Sequence, residues 1–290
     1  MSVSMPRLSY TGPVQAVVLD WAGTAVDYGC MGPADVFVKV FDTFGIDVTS
    51  VEARQFMGLE KKAHIRSMCR LPGISEQWEN KYGKQPDETD VTKRYEKTEP
   101  MMVAAIKDHA DPIDGLLPFV DAMRARDIKI GACTGYTAPM MTVLIPKAAK
   151  LGYAPDCAVC SSDVPGGRPF PWMCYQNAIQ LQVYPLEAMI KIGDTVSDIE
   201  EGRNAGMWTV GLIQSGNELG LAEEQVHAMP DAELNQRLAA IESRFRDAGA
   251  HYVVKGIWEC LGAVDEIGCR LANGEHPATT SPSRKRSAIG

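Results

Sequence analysis

The chain has 290 residues, 45% hydrophobic and 23% charged, an ordinary composition for a soluble globular protein with enough core for one large domain or two smaller ones. A net charge of −8 gives no reason to expect nucleic acid or an anionic membrane surface as partner, so any anion site must show as isolated Lys or Arg residues within motifs. Residues 1–13 carry no apolar h-region, and no run of about 18 apolar residues occurs, so neither a signal peptide nor a membrane span is expected.

The first element is an apolar run, Val14 to Leu19, that reads as a buried strand ending in Asp20. In an open parallel sheet the carboxyl ends of strands are where ligands bind, which places Asp20 as a nucleophile or metal ligand; taken alone, one aspartate after one strand reads more simply as a loop cap. Asp27 to Pro33 is rich in turn formers and reads as a hinge. Helices are expected over Ala34–Phe44, from the capping-box spacing Thr49-Ser50-Val51-Glu52, over Glu60–Leu71 closed by Pro72, from Ser75 through Tyr82, and from beyond Asp90 to about His109. Between Tyr28 and Lys107 no convincing strand appears.

Beyond Gly115 the pattern changes. Strands at Ile128–Cys133, Cys157–Cys160, Met189–Gly193 and Trp208–Ile213 alternate with helices at Leu116–Arg126, Ala138–Leu151, Pro171–Leu181 and Val196–Ala205. That alternation predicts an α/β fold with a doubly wound parallel sheet. Helices at Leu221–Met229 and Asp231–Ala248, a strand at His251–Val254 and a helix at Ile257–Leu271 complete it. The expected organisation is a discontinuous core, residues 14–28 and 108–273, with an all-helical cap, residues 29–107, inserted after strand 1. Such an insertion sits over the catalytic edge as a lid. Residues 1–13 and 274–290 are expected to be flexible, and the basic run Arg284-Lys285-Arg286 in the tail reads as solvated. The single C-x-x-C, Cys157 and Cys160, lies in a strand-like run without a second pair, which argues against zinc and for reduced thiols in the cytoplasm.

Four core segments share one address, the carboxyl end of a strand: Asp20, Thr134, the loop holding Arg168, and Asp194 with Asp198. Several carboxylates together repel unless a cation lies among them, and hard oxygen ligands suit Mg²⁺; helix N-capping is the plainer reading of Asp194-Thr195-Val196-Ser197-Asp198. Thr134 and Arg168 offer a hydroxyl and a cation to a phosphoryl group, though singly they read as a turn residue and a surface ion pair. Taken in order, these segments resemble the four motifs of the haloacid dehalogenase superfamily: Asp20-Trp21-Ala22-Gly23-Thr24, Thr134, Arg168, and the acidic pair Asp194 and Asp198. The resemblance implies a Rossmann-like core and an aspartyl-phosphate formed on Asp20 with Mg²⁺ present.

One departure is informative. Phosphatases of that superfamily carry an acid two residues after the nucleophile, where this chain has Ala22, which can transfer no proton. The helical insertion offers Lys61, with His64 three residues on and on the same helical face. A lysine of lowered pKa forms imines with carbonyls. For a phosphonate with an aldehyde one carbon away, an imine turns a poor carbanion leaving group into an enamine and removes the need for an acid at Ala22. On spacing alone Lys61 reads more simply as a solvated lysine and His64 as a surface or satisfied polar histidine; Lys62 lies about 100° round the helix.

Longer strings narrow the resemblance: Val26-Asp27-Tyr28-Gly29-Cys30, Met57-Gly58-Leu59, Thr134-Gly135-Tyr136-Thr137, Gly167-Arg168-Pro169 with Pro171-Trp172-Met173-Cys174-Tyr175, and Glu201-Gly202-Arg203-Asn204-Ala205-Gly206 are similar to the phosphonoacetaldehyde hydrolases, from about Val14 to the last helix. This implies hydrolysis of the C–P bond of phosphonoacetaldehyde to acetaldehyde and phosphate, within 2-aminoethylphosphonate degradation. It also implies Asp20 as nucleophile and Lys61 as Schiff-base lysine, with His64 assisting its proton transfers. Mg²⁺ would be held by Asp20, the Ala22 carbonyl and Asp194 with Asp198 in support, and the phosphoryl group by Thr134 and Arg168. Met57, Cys30 and Tyr136 would lie nearby, the last two reading otherwise as interface packing. The family is typically a homodimer joined through its caps. A phosphatase acting on a small phosphate monoester, a 2-haloacid dehalogenase and a non-catalytic protein on the same fold are the alternatives.

Overall fold

The structure is a computed structural model that describes residues 10–279. Six parallel strands form one sheet: β1 (Ala16–Leu19), β2 (Lys129–Thr134), β3 (Cys157–Cys160), β4 (Met189–Gly193), β5 (Trp208–Leu212) and β6 (Tyr252–Val254). Their spatial order is β3-β2-β1-β4-β5-β6. The winding direction reverses at β1, so the crevice between the ends of β1 and β4 is the topological switch point, where open α/β sheets bind ligands.

The sheet is buried on both faces, which is why its strands read as continuous apolar runs rather than alternating ones. Val17 and Leu19 join one apolar cluster, while Ala16 and Val18 face another, as a period of two requires. Outside the sheet lie α6 (Leu116–Arg124), α7 (Ala138–Lys150), α8 (Trp172–Leu181), α9 (Val196–Ala205), α10 (Glu223–His227), α11 (Asp231–Asp247) and α12 (Cys260–Ala272), preceded by the helices inserted after β1. Register fixes the site. Leu19 pairs with Ala132 on one side and Ile192 on the other, so Asp20, Thr134 and Asp194 emerge together at one edge.

The inserted helices are α1 (Met31–Asp42), α2 (Ser50–Arg54), α3 (Lys61–Met68), α4 (Pro72–Tyr82) and α5 (Glu88–Ile106). Their apolar faces, including Phe37, Val40, Phe41, Ile65 and Trp78, are continuous with the cluster on the Leu19 face of the sheet. Among the boundaries that differ from the sequence expectation, two have a visible cause. The hinge residues Met31 to Pro33 are already helical, because the Asp27 carboxylate accepts the amides of Met31 and Gly32 and caps α1. Pro72 opens α4 instead of closing α3, since a first-turn proline loses no intrahelical bond. The capping box at Thr49 and Glu52 forms as its spacing predicts.

The segment after Gly274 is tied down as far as it is described: His276 pairs with Glu187, and the Pro277 carbonyl accepts from Arg203. Arg284-Lys285-Arg286 lies outside the described residues. Among those residues, no helix is long and apolar enough to cross a membrane.

Candidate active site

One cavity at the switch point is lined by Asp20, Ala22, Cys30, Pro33, Met57, Gly58, Lys61, Thr134, Gly135, Tyr136, Arg168, Asp194 and Thr195. Three strand ends supply Asp20, Thr134 and Asp194, and the helical insertion closes it from above with Met57, Gly58 and Lys61. Gly135 allows that closure, because a Cβ there would lie 2.6 Å from the Leu59 carbonyl. His64 and Asp198 stand behind the lining rather than in it.

Arg168 binds both halves. Its Nη2 donates to Asp20 Oδ1 at 2.6 Å, its Nε to Glu201 Oε2 at 2.8 Å, and its Nη1 to the Gly58 carbonyl of the insertion at 3.1 Å. Burial opposes its charge, but Asp198, Asp20 and Glu201 outweigh burial and push its pKa up. Thr134 Oγ1 accepts from the Tyr136 amide at 3.1 Å, which turns the chain after β2 and carries the Tyr136 ring toward Lys61.

Asp198 has a different task from Asp194. Its Oδ2 accepts from the Thr195 amide and hydroxyl in the capping box of α9. Its Oδ1 lies 2.5 Å from Lys191 Nζ and 3.1 Å from Arg168 Nη2. Both oxygens are therefore committed, and the capping reading of this residue holds. Lys191 and Glu201 were not singled out from the sequence, yet both are fully buried. Lys191 had a signal: a lone charge inside the apolar run Met189-Ile190-Lys191-Ile192. Glu201 had only its place three residues after Asp198, at the head of one of the strings that carry the resemblance.

Asp194 receives Thr24 Oγ1 at 3.1 Å and the Asn217 amide at 2.8 Å. Burial, then the charges of Asp20 and Asp198, push its carboxyl well above the usual range. Carboxylate oxygens of Asp20, Asp194 and Asp198 lie within 4.8 Å of one another. With Asp198 neutralised by Lys191 and Arg168, the donors left are the carboxylates of Asp20 and Asp194 and the nearby Ala22 carbonyl, an all-oxygen set that fits a hard cation. The Cys30 thiol donates to that carbonyl at 3.1 Å, and burial, then Asp194, keeps its proton on.

Lys61 is buried, 3% exposed, and makes no hydrogen bond or ion pair among the described residues. Its Nζ lies 4.7 Å from the Tyr136 ring centroid and 5.6 Å from that of Phe37. Burial lowers its pKa to about 8, opposed by Cys30 and Asp20 and helped by Arg168. Lys62, its neighbour, is only half-buried, so the fold distinguishes the two. His64 is fully buried, stacked on Phe37 at 3.9 Å, with Nε2 2.8 Å from the Ala53 carbonyl. That bond needs the proton on Nε2 and leaves Nδ1 a lone-pair acceptor with no partner among the described residues. Burial and then the Lys61 charge hold its pKa down to about 3, so the ring is neutral.

A family model of haloacid dehalogenase-like hydrolases matches residues 14–206. The chain is 54% identical over 277 residues to a phosphonoacetaldehyde hydrolase of Syntrophobacter fumaroxidans, covering 96% of this chain and 100% of that one. It is 46% identical over 254 residues to a phosphonoacetaldehyde hydrolase of Bacillus cereus, covering 88% and 96%. A crystal structure of a phosphonoacetaldehyde hydrolase-like protein from Oleispira antarctica superposes with a TM-score of 0.92 at 37% identity, covering 95% of this chain and 100% of that chain.

Proposed function

We propose that this chain, which belongs to the haloacid dehalogenase-like hydrolases, hydrolyses the C–P bond of phosphonoacetaldehyde to acetaldehyde and phosphate. The observation that carries the reading is that Asp20 and Lys61 line one cavity while Ala22 occupies the position of the phosphatase acid. A nucleophile for phosphorus and an amine for the aldehyde face one another, and no general acid is needed for the leaving group.

In this reading neutral Lys61 adds to the aldehyde, and the adduct takes up one proton and loses water to give a protonated imine. Asp20 then attacks phosphorus. The C–P bond breaks, its electron pair passes into the imine, and the products are an aspartyl-phosphate and an enamine. Protonation of the enamine carbon and hydrolysis of the imine return Lys61 and acetaldehyde; water cleaves the acyl phosphate to regenerate Asp20. Neutral His64, whose Nδ1 is an open acceptor, serves the proton transfers of Lys61. Thr134 and Arg168 bind the phosphoryl oxygens, and Arg168 also balances the charge of Asp20 beforehand. Met57, Cys30 and Tyr136 exclude water around the imine. Asp20, the Ala22 carbonyl and Asp194 would hold Mg²⁺, with Asp198 supporting through Arg168 and Lys191. The ion's contribution when bound is to screen the charge between carboxylate and phosphoryl group.

The same reading divides the chain into a core of residues 14–28 and 108–273 and a cap of residues 29–107. The helical content of the insertion supports it. The family likeness supports a homodimer joined through the caps, and eight free cysteines support a reducing compartment, the cytoplasm.

The test is phosphate release from phosphonoacetaldehyde with Mg²⁺, beside a panel of small phosphate monoesters. Release from the phosphonate alone is expected. Release from monoesters alone would overturn the reading and make Lys61 irrelevant to turnover.

A further inference from the structure

The mechanism above leaves unused a pair of side chains that joins the helical insertion to the core beside Asp194. Arg54 is the last residue of α2, and its Nη1 donates to the Gly29 carbonyl at 2.7 Å and to Asn217 Oδ1 at 3.3 Å. Asn217 returns the contact, its Nδ2 donating to the Arg54 carbonyl at 3.1 Å. The backbone amide of the same asparagine donates to Asp194 Oδ2 at 2.8 Å. Asn217 is 5% exposed and lies in the loop after β5. That loop is stitched to the one after β1, with the Ser215 hydroxyl on the Gly23 carbonyl at 3.0 Å and the Gly29 amide on the Ser215 carbonyl at 2.7 Å.

The loop is shaped around the arginine. Gly220 has φ +64, and a Cβ there would lie 3.0 Å from Arg54 Cδ and Nε. The guanidinium thus bridges the hinge at Gly29 and the loop that supplies an amide to Asp194. The insertion reaches the two opposed carboxylates by two separate routes: through Gly58 and Arg168 to Asp20, and through Arg54 and Asn217 to Asp194.

We infer that Arg54 and Asn217 are positioning residues that tie the closed insertion to Asp194, so that closure of the lid and the orientation of this carboxylate are one event. Neither side chain touches the reacting atoms. Losing either one loosens the lid and lets the Asn217 amide leave Asp194. The link to Asp194 rests on the proposed metal role of that carboxylate; the lid contact itself does not.

The experiment compares wild type with Arg54→Gln, Asn217→Ala and the double variant. Amide exchange over residues 55–61 is expected to speed up by about tenfold or more in each single variant, with the double variant short of the product of the two, because the Nη1–Oδ1 bond is lost in both. The rise in thermal midpoint on adding Mg²⁺ is expected to shrink in all three. A loss of stability with unchanged exchange over 55–61 and an unchanged Mg²⁺ increment is the mark of a merely structural pair and would overturn the inference, as would additive effects. If wild type gained nothing from Mg²⁺, the metal reading would fall, while exchange would still decide the lid contact. Arg54→Lys keeps the charge, the Gly29 contact and the Asn217 Nδ2 bond to the residue-54 carbonyl, but not the guanidinium bond to Asn217 Oδ1. Its exchange should lie between wild type and Arg54→Gln, which tests the pair should the harsher variants misfold.

Discussion

Arg168 Nη2 lies 2.6 Å from Asp20 Oδ1, and both side chains are buried. The residue proposed to bind the phosphoryl oxygens therefore already neutralises the proposed nucleophile. The same guanidinium reaches Glu201 and the Gly58 carbonyl, so its planar fork is used in three directions at once. A lysine offers one point charge and cannot keep all three contacts. Arg168→Lys should lower kcat/KM by roughly 10²-fold to 10³-fold, the range for losing a preorganised donor. Steady-state kinetics with a thermal melt checks this; near wild-type activity would show that the fork is dispensable.

Lys61→Arg keeps a positive charge but forms imines poorly. Turnover should fall by about 10³-fold or more, equivalent to about 4 kcal/mol of barrier. Borohydride added with substrate should leave a covalent adduct on wild type and none on the variant, read by intact mass. An adduct on Lys62 instead would refute the assignment.

The pH dependence follows from the burial of Lys61. In the proposed mechanism the attacking form is the neutral amine; burial lowers the Lys61 pKa to about 8, so that form becomes predominant as pH rises through that value. Activity limited by imine formation should therefore climb between about pH 7 and pH 9 and then level off. At pH 7 about 10% of the amine is neutral, against about 0.04% for an exposed lysine. A kcat/KM profile with its rising limb near pH 10 would mean that the lysine is hydrated in the working enzyme.

Lys191 lies 2.5 Å from Asp198 and 3.8 Å from Glu201, all fully buried. Lys191→Met leaves Asp198 and Glu201 to share Arg168 with Asp20. Breaking such a buried network should cost about 3–5 kcal/mol in urea unfolding. Adding Asp198→Asn should recover part of that loss, because one unpaired charge is then removed. A loss below 1 kcal/mol would mean that water replaces the lysine.

What the sequence determined by itself was the local and the periodic. Apolar runs marked the strands, their ends placed Asp20, Thr134 and Asp194, and the Thr49–Glu52 spacing marked a cap, because these signals depend on residues a few positions apart. The sequence also showed Ala22 in place of an acid, and Lys61 with His64 on one helical face. Tertiary structure alone decided which of Lys61 and Lys62 is buried, that Asp198 pairs with Lys191 and Arg168, and that Arg54 meets Asn217 163 positions away. Those outcomes depend on how the strands order themselves and where the inserted helices come to rest. Burial then sets the cost of each unpaired charge, and no spacing along the chain encodes that cost.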